Sequence, residues 1–369
     1  MRPVLRFKEF TDNWEMCKLS DVCDGFDYGI GASATDFNGV HKYIRITDID
    51  ENSHKYIGNP IVSPDCIPER RYLVNTNDIL FARTGASTGK TYLYDEKDSP
   101  LYFAGFLIRF NVSKANPSFI FYNTLTRNYN NWIKLTSARS GQPGINSEEL
   151  KNYSFQCPSI KEQTKIATFL NLYYKKIELQ KKKIKQLYSL FKCALRFEFN
   201  KITDYVSLGS IANLYQPQTI TQTDFIENGQ YKVFGANGYI GYYDKYNHNE
   251  EQVVISCRGE KSSQVNMVEP YSWITGNSMV INLDNSHINK SYVYFALKSQ
   301  NLKYLITGSG QPQIVRSDLI NHKIPFANTT TQNNIVLKLN NINNKIFLEQ
   351  QKLELLEKYK QGLLQKMFI

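Results

Sequence analysis

The chain has 369 residues, 41% hydrophobic and 13% aromatic, with a formal net charge of +10. That length suggests two or three domains with real cores, and the apolar content excludes a disordered chain. It holds no apolar run of membrane-spanning length, and Met1-Arg2-Pro3-Val4-Leu5-Arg6-Phe7-Lys8 lacks a leader-like stretch, so a cytoplasmic protein without membrane contact is expected.

Residues 1–160 show short strand-like runs broken by Gly, Pro, Asn and Asp, among them Lys42-Tyr43-Ile44-Arg45-Ile46, Ile79-Leu80-Phe81-Ala82 and Leu107-Ile108-Arg109-Phe110. A short helix is expected over 117–125. Residues 161–199 read differently. There Ile166, Leu170, Tyr173, Ile177, Gln180, Ile184, Leu187, Phe191 and Ala194 alternate spacings of four and three. That is a heptad seam, and neither Pro nor Gly interrupts it. Residues 200–329 return to strand-like runs, such as Val253-Val254-Ile255-Ser256 and Ser278-Met279-Val280-Ile281, with a short helix over 290–298. Residues 330–369 carry a second seam through Ile335, Leu339, Ile342, Ile346, Glu349, Leu353, Leu356, Lys360 and Leu363.

The chain repeats itself. Ser140-Gly141-Gln142-Pro143 recurs as Ser309-Gly310-Gln311-Pro312, 169 residues later, and the same offset joins Ile145 to Ile314, Gln163 to Gln332 and Phe199 to Phe368. A tandem duplication follows. Two helices of roughly 35 residues would each run ~50 Å, longer than most helices of globular domains, so a coiled coil between the copies is expected. The alternative is that each stripe packs on its own globule. In an antiparallel pair the seam midpoints, Gln180 and Glu349, would face each other and lock the register. Lys360, where the first copy has Phe191, is an asymmetry the sequence does not explain. The globular halves match only loosely, as suits a protein that reads two different targets at a fixed distance.

Gly85-Ala86-Ser87-Thr88-Gly89-Lys90-Thr91 looks like a phosphate-binding loop. It has three residues between its glycines instead of four, and Thr84 stands where the first Gly belongs. Its internal counterpart, Arg258-Gly259-Glu260-Lys261-Ser262-Ser263-Gln264, lacks the second Gly and the Lys. A Gly-rich turn presenting Arg83, Ser87, Lys90, Arg258 and Lys261 to DNA fits better, beside the alternative of a plain hairpin turn with solvated charges. The Tyr- and Gly-rich stretch 231–243 could stack on bases or pack a β-core. No catalytic set emerges: N-P-P-[YF], H-E-x-x-H and G-x-S-x-G are absent, the five histidines are isolated, and the six cysteines form no C-x-x-C. Neither a metal site nor a disulfide framework is expected.

The opening Leu5-Arg6-Phe7-Lys8-Glu9-Phe10, with Trp14-Glu15 and Leu19-Ser20-Asp21-Val22, resembles the start of specificity (S) subunits of type I restriction-modification systems. The stretches 80–90 and 231–241, and the two Ser-Gly-Gln-Pro segments leading through Gln163 or Gln332 into long helices, extend the likeness over essentially the whole chain. The family often has Pro-Glu-Gln at the helix start, where this chain has Lys161-Glu162-Gln163 and Thr330-Thr331-Gln332.

The resemblance implies an α+β fold with two target recognition domains, 1–160 and 200–329, each a mixed or antiparallel sheet with short helices. A central long helix, 161–199, and a C-terminal one, 330–369, would form an antiparallel coiled coil in a pseudo-twofold tandem repeat. Each domain would read one half of a bipartite, asymmetric site in double-stranded DNA, with the helices as a ruler between the halves. Two methyltransferase (M) and two restriction (R) subunits would bind the chain. S-adenosylmethionine would belong to the M subunits, ATP and Mg²⁺ to the R subunits, and no cofactor or catalytic residue is expected here.

Candidate DNA contacts are Arg45, Arg83, Thr84, Ser87, Lys90 and Arg109 in the first domain, and Arg258, Lys261, Ser262 and Arg316 in the second. Arg139, Gln142 and Gln311 stand at the junctions with the helices. Two rival classes are a P-loop-like nucleotide-binding enzyme and a coiled-coil adaptor without DNA contact. The charge surplus lies on the helices. Residues 161–199 hold ten basic and three acidic side chains, and 330–369 six and three, leaving 28 of each elsewhere. Lys175, Lys176, Lys181, Lys182, Lys183 and Lys185 could line a DNA path or meet an acidic partner. Sequence reading must then rest on a few placed side chains in neutral domains.

Overall fold

The computed structural model describes residues 2–236, 238–259, 261–284, 286–308 and 312–369. It divides into two compact units, Met1–Gln180 with Leu353–Ile369, and Lys181–Lys352, so each unit takes part of both long helices.

Both units use the same four-stranded antiparallel sheet. In the first the strand order is Cys23–Tyr28, Leu107–Val112, Asp78–Ala82, Thr91–Leu93. In the second it is Asn213–Tyr215, Ser278–Asn282, Gln252–Ser256, Val265–Val268. Asp78–Ala82 and Gln252–Ser256 are buried at every position, and their unbroken apolar runs suit strands covered on both faces. Alternation sorts their side chains. Ile79 and Phe81 join Phe110, Phe119 and Ile120 on one face, while Leu80 and Ala82 join Ile44, Leu101 and Phe103 on the other. Val253 and Ile255 part from Val254 in the same way.

A helix covers the first of these faces in each unit: Pro117–Asn123, with Pro at its first turn and Asn116 accepting from the Phe119 N–H, and Lys290–Ser299, capped likewise by Asn289 on Tyr292. A two-stranded ladder joins the start of each globule to the segment before its long helix. Glu15–Lys18 pairs with Ser154–Cys157, and Tyr205–Ser207 with Lys323–Pro325.

The units differ in what fills the gap between their first and second sheet strands. The first inserts the pair Ala34–Asp36 and Val62–Pro64, and a strand, Lys42–Ile44, that runs parallel to Leu101–Phe103. The second inserts the hairpin Tyr231–Gly235 and Gly238–Tyr243, flanked by Trp273–Ile274. This is the Tyr- and Gly-rich stretch, and it divides between the two expected uses: Val233 is fully buried, whereas Tyr239 and Ile240 are exposed.

The long helices span Ile160–Phe199 and Thr329–Met367. Every seam position is buried or half-buried, Gln180 and Glu349 included. The seam ends do not serve a helix pair alone, however. Ile166 and Leu170 share the first core with Leu364, Met367 and Phe368, and Phe191, Leu195, Ile335 and Leu339 belong to the second. At its ends each stripe therefore packs on a globule. In the second unit Lys183 pairs with Glu349 and Lys338 with Glu198, so partner numbers fall along the helix. In the first, the Tyr173 hydroxyl donates to the Leu356 carbonyl at 3.2 Å. Lys360 has a role there: its ammonium sits 5.0 Å over the Tyr174 ring, a cation–π contact that Phe could not make.

The repeated glutamines explain the constant offset at the helix starts. Buried Gln163 accepts from the Asn116 N–H at 2.9 Å and donates to the Pro158 carbonyl at 2.9 Å. Gln332 does the same with Asn289 and Ala327, at 3.4 and 2.9 Å. Each ties the cap of the sheet-covering helix to the start of the long one.

Candidate nucleic-acid interface

The central buried strand of each unit runs into a turn that docks on the proline ending its Ser-Gly-Gln-Pro segment, Pro143 or Pro312. In the first unit the Gly85 N–H donates to the Pro143 carbonyl at 3.0 Å. The Thr88 hydroxyl donates to the carbonyls of Gly85 and Pro143 at 2.7 and 3.2 Å. In the second, the Gly259 N–H donates to Pro312 at 3.1 Å. The Ser262 hydroxyl donates to Gly259 and Pro312 at 2.7 and 3.2 Å. Gly85 and Gly259 hold φ values of +78° and +82°, where L side chains are strained. Further on, Gly89 and Ser263 take the same left-handed conformation, at +86° and +78°. These matches align Thr84 with Arg258 and Arg83 with Cys257.

The turn continues into an antiparallel strand, Thr91–Leu93 or Val265–Val268, and not into a helix. A phosphate loop cradles its ligand at a helix N-terminus. Lys90, the residue that would reach a phosphate, is buried and donates to the Ile49 carbonyl at 2.9 Å and to Glu51 at 2.6 Å. The geometry is that of a hairpin turn.

Most candidate cations of the first unit are already engaged. Arg45 forks onto Asp48 with two 2.9 Å bonds, and that hydrogen bonding holds its guanidinium above the ordinary pKa. Arg109 donates to the carbonyls of Arg71 and Leu73 at 2.9 and 3.1 Å and pairs with Asp27. Arg139 bonds the carbonyls of Thr136 and Ala138 at 2.8 and 3.0 Å and pairs with Glu149. Lys90, being buried, thus braces the globule and does not present its ammonium outward, while Arg109 bonds carbonyls and Asp27 of its own unit. Ser262 is buried for the same reason, since its hydroxyl closes the turn.

Arg83 is different. Its guanidinium stacks over the Tyr28 ring at 4.7 Å, and its Nε is buried without a hydrogen-bond partner. Thr84 and Ser87 line a cleft of about 790 Å³ with Ile30, Tyr43, Arg45 and the exposed Phe106. Gln142 is exposed, and its amide lies over Gly85, 2.9 Å from where a Cβ would stand.

In the second unit Arg258 and Lys261 are exposed on the turn. Arg316 is also exposed, with its Nε donating to the Leu214 carbonyl at 2.6 Å. Gln311 lies outside the described residues. Cys257, in the place of Arg83, is fully buried, and burial pushes its thiol pKa up.

Sequence reasoning missed Tyr28, and it missed the carboxylates Glu51, Asp48, Asp27 and Glu149 that neutralise the candidate cations. The even balance of charge outside the long helices was the signal for the carboxylates. Among the described residues no group of three or more His, Cys, Asp or Glu is placed to hold a metal ion. No helix among them is long and apolar enough to cross a membrane.

Residues 11–189 and 201–358 each match the type I restriction modification DNA specificity domain. The fold resembles the crystal structure of the S subunit of a type I restriction-modification system from M. genitalium, with a TM-score of 0.65 at 17% identity, covering 100% of this chain and 99% of that one. It also resembles a chain from a structure of type I R-M complex assembly and conformational transition, with a TM-score of 0.59 at 16% identity, covering 98% and 99%. The sheet-and-turn unit built twice thus corresponds to the domain matched twice, and the chain belongs to the type I restriction-modification DNA specificity family as a DNA specificity subunit.

Proposed function

We propose that each unit reads one half of a bipartite, asymmetric DNA site. The observation that carries this is the turn. One backbone device, closed by the same hydroxyl-to-carbonyl bonds, carries Arg83, Thr84 and Ser87 in one unit and Arg258 and Lys261 in the other. A duplicated frame with different side chains at its tip is what two unlike half-sites require. The outward set in this reading is Arg83, Thr84, Ser87 and Gln142, then Arg258, Lys261 and Arg316, with Arg45 at the cleft and Arg139 at the junction.

The domains in this reading are 1–160 and 200–329, and the long helices pair as an antiparallel coiled coil that sets the gap between half-sites. The falling partner numbers from Lys183–Glu349 to Glu198–Lys338 support the antiparallel sense. Exposed Leu172 and Leu179 on one helix, and Leu348 and Leu355 on the other, are apolar positions suited to docking methyltransferase subunits. The exposed lysines 175, 176, 182 and 185 would add sequence-independent attraction to DNA. The chain itself carries no chemistry in this scheme. S-adenosylmethionine would be held by two M subunits and ATP with Mg²⁺ by two R subunits, in the cytoplasm.

Exchanging residues 1–160 for the corresponding part of another specificity subunit should change one half of the methylated sequence and spare the other. Methylome sequencing reads this directly. An unchanged site would end the reading and favour an adaptor without DNA contact.

A further inference from the structure

We propose that Arg83, stacked on Tyr28, is the residue by which the first unit demands a guanine at one position of its half-site. This rests on the reading that the first unit contacts DNA, and it adds the base and the side chain.

Of the first unit's cationic candidates, Arg45, Lys90, Arg109 and Arg139 each meet a carboxylate. Among the described residues no carboxylate or carbonyl accepts from the Arg83 side chain, whose one contact of note is the Tyr28 ring at 4.7 Å. A half-buried guanidinium left in that state costs stability unless something else accepts from it. Its Nε is closed off from solvent and unpartnered, so the Nη1/Nη2 edge is what remains to donate.

The mounting is rigid. The Arg83 N–H donates to the Phe106 carbonyl at 3.0 Å, and the Arg83 carbonyl accepts from the Ile145 N–H at 2.9 Å. Tyr28 is fixed in turn: its hydroxyl accepts from the Ser147 N–H at 3.1 Å and lies 3.3 Å from the Ser147 hydroxyl. A fork held over an aromatic ring loses little entropy on binding.

A guanidinium donates only, so its bidentate partner must offer two adjacent acceptors. Among base edges in the major groove, guanine N7 and O6 do so, whereas adenine pairs an acceptor with a donor. A phosphate also offers two acceptors, but it places no demand on a fixed ring stack. The second unit cannot make this contact, because Cys257 occupies the place and its thiol faces the Asn277 carbonyl at 3.2 Å. The guanidinium of its turn, Arg258, is one residue later, in the place of Thr84.

The test uses the full chain assembled with its methyltransferase subunits. Arg83→Lys keeps the charge and removes the fork. We expect discrimination for guanine at one position of one half-site to fall about 5- to 150-fold, with the other half-site unchanged. Tyr28→Phe keeps the ring but loses its tether and should relax the position less than Tyr28→Ala, which removes the ring. Wild-type specificity in Arg83→Lys would overturn the proposal. So would affinity loss equal across sequences, which is the mark of a phosphate contact. Loss of methylation at both half-sites in Arg83→Lys would overturn it too, since a structural role would then suffice. A domain exchange that shifts one half-site beside an indifferent Arg83→Lys would leave the half-site reading standing and remove only this inference.

Discussion

The two turns share a backbone and differ in how they tolerate it. Gly89 in the first unit and Ser263 in the second hold the same left-handed conformation, yet a Cβ on Gly89 would lie 2.7 Å from Ile133. Ile133 belongs to Arg127–Thr136, a helix fully buried at Tyr129; the second unit has the short turn Leu302–Leu305 after its own sheet-covering helix. The frame is therefore common property, while what packs beneath it sets which residues the turn admits. Divergence could reach the reading side chains because the closing bonds need only one hydroxyl, of Thr88 or Ser262, and backbone carbonyls.

Gly89→Ala should cost about 2–5 kcal/mol, combining left-handed strain with overpacking against Ile133, while Ser263→Gly should gain about 1 kcal/mol by relieving that strain. Urea denaturation of the full chain measures both. Equal effects of either sign would show that the turns are not built alike.

The glutamine ties at the other end of each unit differ as well. Gln163→Ala leaves the Asn116 N–H and the Pro158 carbonyl without their partner, at about 1–3 kcal/mol. Gln332→Ala should cost less, because its bond to the Asn289 N–H is longer, 3.4 against 2.9 Å. Paired thermal melts of the two variants test the order.

The smallest effect expected is on pH. Burial lowers the pKa of His54 in the first unit and of His248 and His322 in the second, below the ordinary 6.5. A histidine depressed in the folded state adds stability in full above that ordinary value. As pH falls below it the unfolded chain takes the proton first, so stability is lost down to the depressed value. The second unit holds two such groups against one. Burial also raises the carboxyl pKa values of Asp78 and Asp98 in the first unit, which works in the opposite sense at lower pH. Hydrogen exchange between pH 7 and 5 should therefore show the second unit losing more protection.

Much of the frame was legible in the residues. The constant offset from Ser140 to Phe199 reported a duplication because Gln163 and Gln332 perform one task, bonding a helix cap to a helix start. The apolar runs at 79–82 and 253–256 reported buried central strands. The seam was legible as a stripe but not in its use, since Ile166 and Phe191 look alike as heptad positions whether they meet a helix or a globule.

The reading residues were legible only as a set of types. Sequence alone determined the repeat, the two long helices, the Gly-rich turns and the neutrality of the globules, because these follow from local spacing, periodicity and composition. Only the tertiary structure decided that Lys90 points inward to Ile49 and Glu51 while Arg83 lies on Tyr28. The partners stand 39 to 55 positions away along the chain. Which cation meets a carboxylate is set by how strands and insertions fold together, and no local pattern in the residues carries that information.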